Sequence, residues 1–220
     1  MVWRSRDSRI SLESPARFFL LLIERIKLKP DNHEHEFPIS EILSNRWSPR
    51  AFSHDAEIVS ADLGSSFEAA KWSPSSSNSQ PWKFMVGLRG DKIFEAITDS
   101  MSPGNAIWAK HAPALIANIA RLENSDGSPL DHAVYDLGQA VAHFTFQATV
   151  DGLLVHQMGG FDSVKLGETL RLSRIEEVVT LMAVGPLGKL SDLPEKLQAR
   201  ELRTRERKKL SEIVVGSLSY

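Results

Sequence analysis

Two polar stretches carry residue types that a packed core does not need. Asn45-Arg46-Trp47-Ser48-Pro49-Arg50 places two guanidiniums and a hydroxyl close together. Trp72-Ser73-Pro74-Ser75-Ser76-Ser77-Asn78-Ser79-Gln80-Pro81-Trp82 sets a run of serines, Asn78 and Gln80 between two tryptophans. A guanidinium is a planar fork of donors that matches a phosphate. Short hydroxyl and carboxamide side chains can fix the edge of a flat heterocycle. Gly159-Gly160 adds a stretch where backbone can approach a flat ring with no Cβ in the way and with its amides as donors. Near the end, Arg205-Glu206-Arg207 supplies two more guanidiniums. Arginines two apart on a straight strand diverge, but on an irregular entry to a helix they can converge on one anion. The chemistry indicated is the holding of a planar, phosphorylated ligand.

Composition narrows the alternatives. The chain has 220 residues, 42% hydrophobic and 25% charged, with a net charge of -2 and no cysteine. This is ordinary for a globular domain and gives no overall pull toward nucleic acid or an anionic membrane. Disulfides, thiolate metal sites and cysteine nucleophiles are excluded, and a cytoplasmic protein is expected. Phe18 to Ile23 is an apolar run preceded by arginines and followed at once by Glu24 and Arg25. It is too short for a signal peptide or for a span of about 20 apolar residues, so residues 15–28 read as an amphipathic helix. His33-x-His35 has no third ligand at a recognisable spacing, and no metal is expected.

The elements that must position the polar stretches follow from periodicity. Ser40 is placed to cap a short helix, Glu41 to Asn45. Asp62 to Trp72 reads as a helix with Leu63, Phe67 and Ala70 on one face, ending at the serine loop. Trp82 to Arg89 alternates as a strand, Asp91 to Asp99 and Asn105 to His111 read as helices, and Pro113 to Leu122 as a strand covered on both faces. Asp131 to Val150 is the longest helix, with Val134, Leu137, Val141, Phe144 and Ala148 as its apolar stripe and Gly138 and Ala142 small enough for close packing. Leu153 to His156 and Glu177 to Val184 read as strands, and Asp162 as the cap of a helix over 163–170. Residues 194–210 are partly helical, with seven basic and two acidic residues from Lys196 to Lys209. The irregular alternation predicts one α+β domain with an antiparallel or mixed sheet.

The order and wording of these pieces resemble the nitroreductase family of flavin mononucleotide (FMN) enzymes. The residues that carry the resemblance are Arg46-Trp47-Ser48-Pro49-Arg50-Ala51-Phe52 and the Ser73-to-Trp82 loop. Gly104-Asn105, Ala112-Pro113, Asp136-Leu137-Gly138, Gly159-Gly160-Phe161-Asp162 and Arg205-x-Arg207 follow in order. The resemblance covers about residues 40 to 215, which makes 1–39 an N-terminal extension and 40–220 the FMN-binding domain. The tail reads Arg207-Lys208-Lys209 where the family often has Arg-Lys-Pro. Position 108 is Trp, where some relatives carry a lysine.

The resemblance implies an α+β fold, a mixed central sheet flanked by helices, in an intertwined homodimer with FMN at the interface. It assigns Arg46, Trp47, Ser48 and Arg50 to the cofactor from one subunit, with Arg205 and Arg207 at the phosphate. Pro74, Ser75, Ser76 and Asn78 would come from the other subunit, Asn105 would reach the pyrimidine edge, and Met158, Gly159 and Gly160 would lie along the ring. It implies hydride transfer from NADH or NADPH to flavin N5, then to a nitroaromatic, quinone or related electrophile, by ping-pong turnover. No side-chain acid or base is assigned.

Other classes fit less well. A serine hydrolase lacks a Gly-x-Ser-x-Gly elbow, and a Rossmann domain lacks Gly-x-Gly-x-x-Gly. A nucleic-acid binder has only the basic tail in its favour. A flavin-binding protein with little reductase turnover, acting in flavin handling or sensing, is the standing alternative.

Overall fold

The computed structural model describes residues 35–216; the expected helix at 15–28, His33 and most of the N-terminal extension lie outside them. Helices α1 (Glu41–Asn45), α2 (Gly64–Lys71), α3 (Lys92–Ser100), α4 (Pro103–Ala109), α5 (Ala133–Val150), α6 (Ser163–Thr169), α7 (Glu195–Glu201) and α8 (Leu210–Ile213) surround four strands. The strands are β1 (Trp82–Leu88), β2 (Ala114–Arg121), β3 (Leu154–Met158) and β4 (Glu176–Gly185), in the order β1-β2-β4-β3.

Each of these pairings is antiparallel. The resemblance implied a mixed sheet; among the described residues the neighbouring strands all run in opposite directions, and no parallel pair is present. Strand β2 is buried along almost its whole length, as its near-continuous apolar run requires. Period-two alternation sorts its side chains into two cores. Leu115, Ala117 and Ile119 pack with Leu181, Ala183 and Met158 against Phe94, Ile97 and Leu166 of α3 and α6. Ala114, Ile116 and Ala120 pack with Met182 and Val184 against Leu63 and Ala70, and against Leu137, Val141 and Phe144 of α5. A register shift at Asn118/Ile119 inserts an extra residue in β4. Val178 and Leu181, three apart, therefore both face the first core, as a bulge permits.

Local chemistry sets the helix starts. Asp91 caps α3, its carboxylate accepting from Phe94 N and Leu88 N, both at 2.8 Å. Asp162 caps α6 through Lys165 N at 2.9 Å. Gly87 of β1 is a close approach: a Cβ there would lie 2.4 Å from Phe94 N. On α5 the stripe departs from expectation. Val134 is 48% exposed, because it sits in the first turn while Ala133 and Leu137 take the sheet-facing side. Gly138 has open space instead of a close neighbour. Within one chain, this flank of the longest helix is uncovered.

Candidate functional site

Arg46 follows α1, and the chain then runs through Trp47 and Ser48 to a buried Pro49. The tail after α7 returns to the same place. Arg46, Trp47, Ser48, Arg50, Arg205 and Arg207 line one cavity of about 280 Å³ with Arg200, Glu201, Arg203 and Thr204. The lining thus holds six arginines and one carboxylate residue, Glu201. The first and fourth polar stretches, far apart in sequence, are brought together.

The cavity is built by hydrogen bonds from its own walls. Arg205 donates to Arg46 O at 2.8 Å and to Ser44 O. Glu201, 6% exposed, accepts from Arg50 N at 3.1 Å and from the Arg50 guanidinium at 3.2 Å. Arg46 is different: its guanidinium has no hydrogen-bond partner among the described residues. Burial first, then the charges of Arg207 and Arg205, pull its pKa below the ordinary value. A half-buried cation pressed by two like charges is stabilised by an anion. The donor set therefore fits a phosphate.

The glycine turn is a second, separate platform. After β3, Gly160 O accepts from Ser102 N and from Asn105 Nδ2, both at 3.0 Å. A Cβ on Gly160 would come within 2.8 Å of that Asn105 nitrogen and 2.9 Å of Ser102 Oγ. Gly159, in contrast, is exposed with nothing within 4 Å of a Cβ position. The turn thus has one side occupied by α4 and one side open. Met158 is buried beneath it. Trp108 points away into the core, 1% exposed, its ring 6.2 Å from Phe52 and 4.4 Å from His156, with Arg50 6.0 Å away.

The serine loop is held in an unusual backbone. Ser77, Asn78 and Gln80 have φ of 52°, 56° and 46°, left-handed values that cost side-chain-bearing residues energy. Ser76 N donates to Asp136 at 3.0 Å, Gln80 N to Ser75 Oγ at 3.1 Å, and Arg121 to Ser79 O at 3.0 Å. Ser73 Oγ lies 2.5 Å from His143 Nδ1. Pro74, Ser76 and Asn78 are left facing outward. None of the loop's residues lines the arginine cavity. Asp136, His143, Glu201 and His156 are hydrogen-bonded to the candidate segments, and none was singled out for the site by sequence; only Asp136 lay inside a quoted motif.

Among the described residues no group of three or more His, Cys, Asp or Glu side chains is arranged to hold a metal. No described helix is long and apolar enough to cross a membrane.

An α+β fold with helices on both faces of the sheet carries an arginine-lined cavity whose charge fits an anionic ligand. The chain belongs to the nitroreductase family: the model of that family matches residues 43–186. An uncharacterized 15.4 kDa protein from Mycolicibacterium smegmatis is 31% identical over 139 residues, covering 60% of this chain and 92% of its own. A solved oxidoreductase containing FMN is 30% identical with a TM-score of 0.79, over 85% of this chain and 96% of that one. A nitroreductase family protein from Clostridium novyi NT is 25% identical with a TM-score of 0.58, over 69% and 87%.

Proposed function

We propose that this protein is an FMN-dependent oxidoreductase that uses NADH or NADPH to reduce a nitroaromatic, quinone or related small electrophile. The observation that carries the reading is Arg46, a half-buried guanidinium without a partner among the described residues and crowded by Arg205 and Arg207. Family membership and the FMN-containing relative support it. When bound, FMN supplies the chemistry of accepting hydride and passing it on.

The residues divide the work. Arg46, Arg205 and Arg207, with Ser48, hold the phosphate. Trp47 and Arg50 close the wall around it. Glu201 fixes the direction of Arg50, and Asn105 fixes the Gly160 carbonyl, which leaves the amides and open side of the turn for the ring. Met158 supports that turn from below. At about 280 Å³ the arginine cavity has room for a phosphate and its arm. The site is completed by a second copy of the chain, as the family resemblance implies. Outward-facing Pro74, Ser76 and Asn78, with half-buried Ser75, reach the partner's cofactor, and exposed Trp72 (78%), Tyr135 (71%) and Val134 are covered in the homodimer.

The test is direct. The purified protein should be yellow, bleach anaerobically with NADH or NADPH, and recolour on addition of a quinone or nitroaromatic. A flavin that is bound yet never reduced by either nucleotide would favour flavin handling over catalysis; a protein that takes up no flavin would end both.

A further inference from the structure

We propose that His156 is a positioning residue that sets the phosphate-holding segment in register with the Gly159-Gly160 turn through its bond to the Pro49 carbonyl. The proposal rests on the FMN reading above.

His156 lies on β3, on the sheet face that carries Trp108, and is 9% exposed. Its Nδ1 is 2.8 Å from Pro49 O. A carbonyl only accepts, so Nδ1 carries the proton. The N–H of the same peptide unit, that of Arg50, donates to Glu201 at 3.1 Å. One peptide plane is thus gripped at its oxygen by a strand and at its nitrogen by the tail helix. It lies between Ser48 and Arg50, both of which face the arginine cavity.

The strand that supplies this grip also ends in the turn. From His156 to Gly159 is three residues, about 10 Å of extended chain. The pairing of His156 with Ala183 fixes β3 against β4. Segment and turn therefore hang from one rigid element. Burial lowers the His156 pKa to about 4, so the neutral ring orients the segment without adding another charge to the arginine cluster.

Two variants separate positioning from packing. His156→Phe keeps a ring against Trp108 and removes the donor. His156→Asn places a carboxamide N–H near the Nδ1 position but fills less space. FMN dissociation constants, the visible spectrum of bound flavin and melting temperatures are measured for both. The phenylalanine variant is expected to bind FMN about tenfold more weakly, with a shifted flavin band. The asparagine variant is expected to return affinity to within about threefold of wild type and to restore the band, while melting at the lower temperature. Affinity would then run opposite to stability, which a purely structural role does not produce. If the phenylalanine variant does not fold, His156→Gln, whose carboxamide reaches the Nε2 position instead, replaces it with the same expectation. Wild-type affinity without the Nδ1 donor, or affinity that tracks melting temperature across the variants, would overturn the proposal. A wild-type protein that binds no FMN would overturn the functional reading on which it rests.

Discussion

Arg205 donates a guanidinium N–H to the main-chain oxygen of Arg46 at 2.8 Å, across 159 positions of sequence. A second N–H goes to Ser44 O. The tail is therefore part of the wall behind Arg46. Arg205→Ala should weaken FMN binding about tenfold to a hundredfold, since lost charge-assisted bonds are worth about 1.5–3 kcal/mol. Flavin fluorescence titration reads this. Arg205→Lys should recover only part of the loss, because an ammonium cannot present the fork that reaches two carbonyls.

The two glycines of the turn should respond differently. Gly160→Ala drives a Cβ into Asn105 and Ser102 and should cost about 1–3 kcal/mol, visible in the melting temperature of flavin-free protein. Gly159→Ala meets open space and should leave that temperature almost unchanged. It should nevertheless weaken FMN, because the new methyl group occupies the face assigned to the ring. Equal flavin affinity in Gly159→Ala and wild type would remove the ring from this turn.

Acid should expose the buried imidazole. His156 titrates from an ordinary value of 6.5, lowered to about 4 chiefly by burial, with the Arg50 charge acting the same way and the Pro49 and Ser48 backbone opposing it. Between these values the unfolded chain binds the proton that the folded chain refuses. Its contribution is complete above about pH 6.5 and is lost as pH falls toward 4, on the order of 3 kcal/mol in all. Denaturation midpoints at about pH 7 and pH 4.5 should therefore differ more for wild type than for His156→Phe. Equal slopes would show that this group does not govern acid stability.

The serine loop stores backbone strain. Ser77 at φ 52° should accept glycine with little change, whereas Ser77→Val should cost about 1–2 kcal/mol. Chemical denaturation compares the two. The valine variant should also dissociate as a dimer at higher protein concentration, if the outward face of the loop meets a partner.

Most elements were legible because their signals are local. The alternation in Trp82–Leu88, the apolar run in Ala114–Arg121 and the cap Asp162 lie within a few residues of what they specify. The Arg46 and Arg205 stretches were read as candidate anion binders by residue type. Their convergence on one cavity in one chain came from the family pattern, because no periodicity links positions so distant. His156 and Glu201 were invisible for the same reason: each acts on the Pro49–Arg50 peptide from more than a hundred positions away. Val134 misled because it fits a helical stripe, yet Ala133 and Leu137 take the sheet-facing side and leave it on the uncovered flank. Strand direction was likewise left open by composition, and the antiparallel pairing emerged only from the register.

In the proposed function Arg46 is held ready for the phosphate of FMN. The most direct measurement compares FMN and riboflavin, which differ only in that phosphate, on wild-type protein and on Arg46→Ala. The substitution should weaken FMN about tenfold or more and leave riboflavin within about twofold, so that the loss is coupled to the phosphate. Equal losses for both ligands, or an unchanged affinity for FMN, would contradict it.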